Sequence, residues 1–187
     1  MKTKLITMTG LFIALGLLVP IVFHLVGSGQ AFLPMHLPVL LAGLLLGPLP
    51  GLVVGLASPV LSSILTGMPP LVPLVPIMAG ELGVYGWAAG WLRHRLRLPV
   101  LFSLLGSMAA GRLAAGGVVA LAAGPLGFSQ MNPAVYVKTA VIAGLPGITL
   151  QLVFLPLVLG FLQRRLGDSA AGQTGIRQGR VEDENSV

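Results

Sequence analysis

The chain has 187 residues, of which 55% are hydrophobic and only 9% are charged. Soluble domains carry about 25% charged residues to cover a surface that faces water, so this composition excludes an ordinary soluble fold. From Leu5 to Gly80 there is no Asp, Glu, Lys or Arg, a stretch far longer than the roughly 20 apolar residues of one membrane span. Runs such as Leu37 to Leu46 do not alternate as barrel strands do. The sequence therefore predicts an all-α integral membrane protein.

Several function classes are excluded at this point. The net charge of +6 does not indicate a nucleic-acid binder, because the basic residues lie at span boundaries and not in one patch. The absence of cysteine rules out disulfides and thiolate chemistry. The sequence contains no phosphate-binding loop and no His-Glu-x-x-His or Gly-x-Ser-x-Gly motif, so we expect neither an enzyme nor a cofactor.

Six helical spans fit the pattern of apolar runs between glycine, proline and charged residues. Their approximate ranges, in chain order, are 5–25, 37–46, 52–65, 75–92, 99–123 and 134–162. Residues 1–166 then form one membrane domain. Residues 167–187 are polar and mixed in charge, and we expect a disordered cytoplasmic tail there.

The basic residues predict the orientation, because Lys and Arg of short loops favour the cytoplasmic side. With six spans, one side receives Lys2, Lys4, Arg93, Arg95, Arg97, Arg164 and Arg165. The opposite loops, at 27–35, 67–74 and 124–133, contain no Lys or Arg. We therefore predict that both termini are cytoplasmic.

The first span has an alternative interpretation. Lys2 and Lys4 followed by an apolar run also resemble a signal peptide, although the small-residue cleavage site is poor. Cleavage would leave five spans with the same C-terminal side, so topology alone does not decide between the two.

Small residues recur at helical spacing. Glycines stand at every fourth position from Gly43 to Gly55, and Gly86 and Gly90 repeat the spacing. Such residues let membrane helices approach closely, so we interpret them as packing positions inside a bundle. A second set of small residues lies in the fifth span, at Ser103, Ser107 and Gly111.

Three ionisable residues interrupt the apolar spans: Glu81, Arg112 and Lys138. Charges in hydrocarbon are costly and usually face a cavity or a partner. One interpretation is a structural ion pair of Glu81 with either Arg112 or Lys138. The other is a ligand pocket that opens to the outside. Two cations and one carboxylate would then favour an anionic ligand.

Other polar residues fall in the same outer half of the predicted bundle. Without cysteine or a second acidic residue nearby, they do not indicate a metal site. The predicted ligand-binding residues are His24, Gln30, His36, Glu81, Tyr85, Arg112, Asn132, Tyr136 and Lys138.

Two consecutive passages carry a family resemblance. They are residues 32–43, FLPMHLPVLLAG, and residues 44–55, LLLGPLPGLVVG. With a short basic N-terminus and six predicted spans, the chain from Lys4 to Arg165 resembles the substrate-binding S components of energy-coupling-factor (ECF) vitamin transporters.

The resemblance implies a division of labour. An S component binds a vitamin from outside, and a transmembrane coupling subunit with two ATPases drives its release inward across the bacterial cell membrane. The family's Ala-x-x-x-Ala face for the coupling subunit reads Gly10-x-x-x-Ala14 here. Loops 27–35 and 67–74 would cover the ligand. The two cations favour an anionic vitamin: pantothenate first, then a folate- or nicotinate-like molecule. A neutral or cationic vitamin is the alternative if Glu81 dominates the pocket.

The sequence pattern is compared with two other functions. One is a non-transport scaffold similar to shape-determining membrane proteins of the MreD type, which would gain little from Glu81, Arg112 and Lys138. The other is a self-sufficient small transporter, but the sequence shows no second half with matching broken helices.

Overall fold

The computed structural model describes the backbone of residues 2–25, 33–122 and 132–184, and the side chains of 3–22, 33–122 and 132–161. Within these ranges the chain forms helices only: α1 Lys2–Leu25, α2 His36–Leu46, α3 Pro48–Thr66, α4 Leu74–His94, α5 Val100–Ala122 and α6 Pro133–Glu184. The chain divides into two compact units, Met1–Leu152 and Val153–Val187, so α6 belongs to both.

The six predicted spans correspond to these six helices, with two differences at helix ends. Helix α3 begins at Pro48 and not near Leu52, because proline is tolerated in the first turn of a helix. The break before it is therefore Gly47 alone, whose φ of 107° suits glycine. The second difference is that the last helix continues to Glu184. Its part that is apolar enough to cross a membrane ends at Phe161, close to the predicted end of the span near Leu162. The assignment of 167–187 to a separate cytoplasmic tail stays a prediction.

Four of the helices are long and apolar enough to cross a membrane: α1, α3, α5 and α6 as far as Phe161. Helix α4 has 21 residues, which at about 1.5 Å per residue match a hydrocarbon core of about 30 Å, but Glu81 lowers its hydropathy. Helix α2 has 11 residues and can cover only about half of that thickness. The fold is thus a multi-pass helical membrane protein, and the count of six complete spans stays a prediction.

Helices α2, α3 and α4 pack backbone against backbone through glycine. A Cβ added to Gly43 or to Gly51 would overlap the carbonyl oxygen of Gly86, and one added to Gly55 would overlap that of Leu82. No larger residue fits without moving a helix. The interpretation of these small residues as packing positions inside the bundle is therefore confirmed.

Helix α1 packs through one side only. Phe12 and Gly16 are buried, and Gly16 approaches the hydroxyl group of Ser58 on α3. Gly10 and Ala14 are exposed, since two residues along a helix turn a side chain by about 200°. An added Cβ on Gly10 would meet nothing within 4 Å.

Candidate ligand-binding site

The centre of the candidate site is a buried ion pair between α4 and α5. Nη1 of Arg112 lies 2.6 Å from Oε1 of Glu81, and the two side chains are 9% and 5% exposed. Lys138 is exposed. Of the two pairings that the sequence left open, the structure shows the one with Arg112.

Tyr85 and His36 complete the group around this pair. Tyr85 follows Glu81 by one turn of α4 and is 1% exposed, and a Cβ on Gly111 would overlap its ring. The small residue at 111 thus lets the Tyr85 ring lie directly against α5. The ring of His36 meets that of Tyr85 edge to face, with centroids 5.0 Å apart.

His36 reaches the acidic side chain because α2 is short. As the first residue of that helix, it lies at the depth of Glu81, and its Nε2 is 3.6 Å from Oε1 of Glu81. A full-length span would place the start of α2 nearer the membrane surface. The structure therefore brings together four of the predicted residues: His36, Glu81, Tyr85 and Arg112.

The donors of Arg112 are only partly used. Nε and Nη2 are buried without a hydrogen-bond partner among the described residues, as are both ring nitrogens of His36. Oε1 of Glu81 stands at ion-pair distance from Nη1 but lacks hydrogen-bond geometry, so the pair is held by charge and is poorly oriented. A buried donor without a partner costs about 1–3 kcal/mol, and more when it is charged. Such groups call for an explanation in a folded protein.

The two unused nitrogens form one edge of the guanidinium plane. Two parallel N–H groups on such an edge match the two oxygens of a carboxylate, which binds there in a bidentate manner. The arrangement of Arg112 can thus hold Glu81 at Nη1 and a second, planar anion at Nε and Nη2.

Leu33 and Gly144 border this edge. A Cβ added to Gly144, on α6, would lie 3.1 Å from Nη2 of Arg112 and 2.9 Å from Cδ1 of Leu33. The glycine leaves room beside the guanidinium group. Leu33, which belongs to the predicted loop 27–35, lies beside the same position at Gly144.

Tyr136 lies one turn of α4 and α5 away from the ion pair. It is partly buried and packs against a cluster of Ile77, Ala115 and Val119. Ile77 precedes Glu81 by four residues, and Ala115 follows Arg112 by three. The Tyr136 side chain thus borders the apolar layer next to the charged residues.

The remaining predicted residues are placed elsewhere or lie outside the description. Oδ1 of Asn132 accepts hydrogen bonds from the backbone N–H groups of Ala134 and Val135, at 3.0 and 3.3 Å, and so caps α6. The side chain of His24 and the whole of Gln30 lie outside the described residues. The part that Asn132, Lys138, His24 and Gln30 play in ligand binding stays a prediction.

Gln151 is a buried polar residue that the sequence analysis did not select. It is 1% exposed, and its Nε2 has no hydrogen-bond partner in the described part of the chain. The signal was present, because a lone amide in an apolar span is as unusual as a lone charge.

Two further observations limit other interpretations of the surface. An apolar groove of about 420 Å³ lies on α3, lined by Val53, Leu56, Ala57, Val60 and Leu61, and none of its lining residues belongs to the charged group. Over the described residues, no cluster of three His, Cys, Asp or Glu side chains could hold a metal ion.

These features define a helical membrane protein with a buried ion pair, in which two donors of Arg112 have no hydrogen-bond partner among the described residues. The sequence matches the family of ECF transporter substrate-specific components over residues 4–159, and the chain belongs to that family. No curated protein and no solved structure gives a significant match. The resemblance seen in the sequence is thus confirmed. The protein is the substrate-binding component of a transporter, and membership implies a small-molecule substrate and an energising module with ATPases.

Proposed function

We propose that this protein binds an anionic vitamin, or a related small molecule, from outside a bacterial cell and delivers it across the plasma membrane. The observation that supports the anionic class is the guanidinium edge of Arg112, buried without a partner among the described residues. A ligand carboxylate would use both donors of that edge.

The charges of the site favour a ligand group with a single negative charge. Glu81 and Arg112 neutralise each other, so a bound carboxylate adds one negative charge close to Glu81. Besides Arg112, the described side chain at ion-pair distance from Glu81 is that of His36, whose Nε2 lies 3.6 Å from Oε1 of Glu81. A second negative charge at this place would add further repulsion from Glu81. This charge balance favours the monocarboxylates pantothenate and nicotinate over folate, which carries two carboxylates; pantothenate stays the first candidate.

The proposed route of the ligand to Arg112 passes Leu33. Its side chain and Nη2 of Arg112 border the same position beside Gly144, so displacement of the segment that holds Leu33 exposes the guanidinium edge. Loop 27–35, which contains Leu33, is proposed as the first cover of the ligand. Loop 67–74 is proposed as the second cover.

The exposed side of α1 is the proposed contact with the coupling subunit, which works with two ATPases on the cytoplasmic side. Gly10 and Ala14 lie there, opposite Phe12 and Gly16, and an added Cβ on Gly10 is unobstructed. Gly10→Leu is expected to leave ligand binding intact and to reduce co-purification with the coupling subunit and ATPases. Gly117→Leu, at an equally unobstructed glycine of α5, is the control. Equal assembly of both variants would remove this surface from the proposal.

Binding is tested first without assuming the ligand. Protein purified from rich medium is denatured, and released small molecules are identified by mass spectrometry. A stoichiometric anionic vitamin is the expected result. If no small molecule is released and no vitamin of a panel shifts the unfolding temperature, the binding function is wrong and a scaffold of the MreD type is favoured.

The role of Arg112 is tested by Arg112→Lys, which keeps the positive charge but removes the planar edge. We expect affinity to fall about tenfold to a hundredfold, because charge-assisted hydrogen bonds contribute about 1.5–3 kcal/mol. Arg93→Lys is the matched control, since Arg93 bonds the carbonyl of Leu98 at the basic end of α4. Lys138→Gln shows whether the exposed cation contributes. Unchanged affinity in Arg112→Lys would exclude the guanidinium edge.

A further inference from the structure

Gln151 has a buried polar group whose role among the described residues is unassigned. Among the buried polar side chains of α6 within the described residues it is the one with an unpartnered atom, Nε2, and the residue is 1% exposed. A leucine at this position would avoid the desolvation of an amide, so the amide reduces stability unless something binds it.

Gln151 lies on the same side of α6 as the glycine beside Arg112. Gly144 and Gln151 are seven residues apart, which is two turns, or about 10 Å along the axis. Gly147 lies between them and is also buried. Along the path on α6 from Nη2 of Arg112 to Gln151, Gly144 and Gly147 carry no side chain, and Ile148 lies beside it.

The direction of the side chain shortens this path. Helical side chains lean towards the N-terminus of their helix, so Gln151 leans towards Gly144. Its amide is then about one to two turns, roughly 5–10 Å, from the level of the guanidinium edge.

We infer that Gln151 is a second ligand-binding residue, which donates a hydrogen bond from Nε2 to an acceptor at the far end of the ligand. The inference rests on the proposed function, because it takes the bound carboxylate at Arg112 as its starting point. It narrows the substrate class to elongated anions with a carbonyl or hydroxyl group about 5–10 Å from the carboxylate. A compact aromatic acid would fill the Arg112 end alone.

The test compares Gln151→Leu with Thr149→Val in purified full-length protein. Thr149 is exposed, and its hydroxyl group bonds the carbonyl of Leu145, so its replacement by valine makes an equally apolar change away from this path. Pantothenate, folate and nicotinate are the probes, each titrated by calorimetry. The unfolding temperature without any probe is measured in parallel.

Gln151→Leu is expected to weaken pantothenate or folate binding about fivefold to tenfold, the loss of one hydrogen bond. It should also raise the unfolding temperature of the ligand-free protein. If the glutamine were merely structural, the same substitution would lower that temperature. Thr149→Val should change neither.

Three results would overturn the inference. If an elongated probe binds wild type and Gln151→Leu with equal affinity, Gln151 is not part of the site. If Arg112→Lys loses affinity for the same probe, the proposed function is kept. Binding of nicotinate alone, or a co-purified small molecule that lacks an acceptor about 5–10 Å from its anionic group, overturns the elongated class only. No bound molecule in either assay overturns the proposed function as well.

Discussion

Removing one charge of the buried pair should destabilise the protein far more than removing both. Glu81→Gln leaves the buried positive charge of Arg112 without a carboxylate counter-ion among the described residues. Arg112→Gln leaves Glu81 with His36 at 3.6 Å. The double variant leaves two neutral amides that can bond each other. We therefore expect the order of stability to be wild type, double variant, Arg112→Gln and Glu81→Gln.

The magnitude follows from burial and distance. Both side chains are less than 10% exposed and the charged atoms are 2.6 Å apart, so water and salt screen the pair weakly. Leaving one buried charge uncompensated costs about 3–5 kcal/mol, whereas replacing both partners is often close to neutral. The loss of stability in Glu81→Gln should lie at the upper end of that range. The loss in Arg112→Gln should lie at the lower end, because His36 is still close to Glu81. The coupling energy of the cycle should then reach several kcal/mol, above the usual 0.5–3 kcal/mol of neighbouring residues.

Unfolding in mixed micelles, followed by tryptophan fluorescence, measures this cycle. Trp87 and Trp91 are the only tryptophans in the chain, both lie on α4 with Glu81, and their rings stack with centroids 5.9 Å apart. Additive losses in the two single variants would refute the reasoning, because they would mean that the charges do not depend on each other.

Three further predictions concern packing, helix ends and topology. Gly86→Ala should destabilise by about 1–3 kcal/mol or more, since its Cβ would overlap the backbone of Gly51; Gly117→Ala, with open space around it, should be neutral or slightly stabilising in the same unfolding assay. Asn132→Ala removes the N-cap of α6 and should lower the free energy of unfolding in that assay by about 1 kcal/mol. Asn132→Ser should restore most of that loss. Because the chain has no cysteine, Gly67→Cys and Arg95→Cys can be labelled singly in intact cells. An impermeant reagent should reach the first only, and the reverse pattern would invert the proposed orientation.

The sequence alone determined the class of fold and the family. Long uncharged runs must be membrane helices, because the backbone in hydrocarbon has to satisfy its own hydrogen bonds. Glu81 and Arg112 could be selected for the same reason, since a charge in an apolar span is costly wherever the helix packs. The passages around Gly43 and Gly51 carried the family resemblance, and their spacing also predicted close helix packing.

The tertiary structure decided which of these residues meet. Whether Glu81 pairs with Arg112 or Lys138 depends on the rotation and relative depth of three helices, and a linear pattern of charges contains neither quantity. The depth of His36 depends on the short length of α2. The burial of Gln151 depends on which side of α6 faces the bundle. The chain thus determines the cost of each polar group in the membrane, while helix packing determines which partner offsets that cost and which donors of Arg112 remain for a ligand.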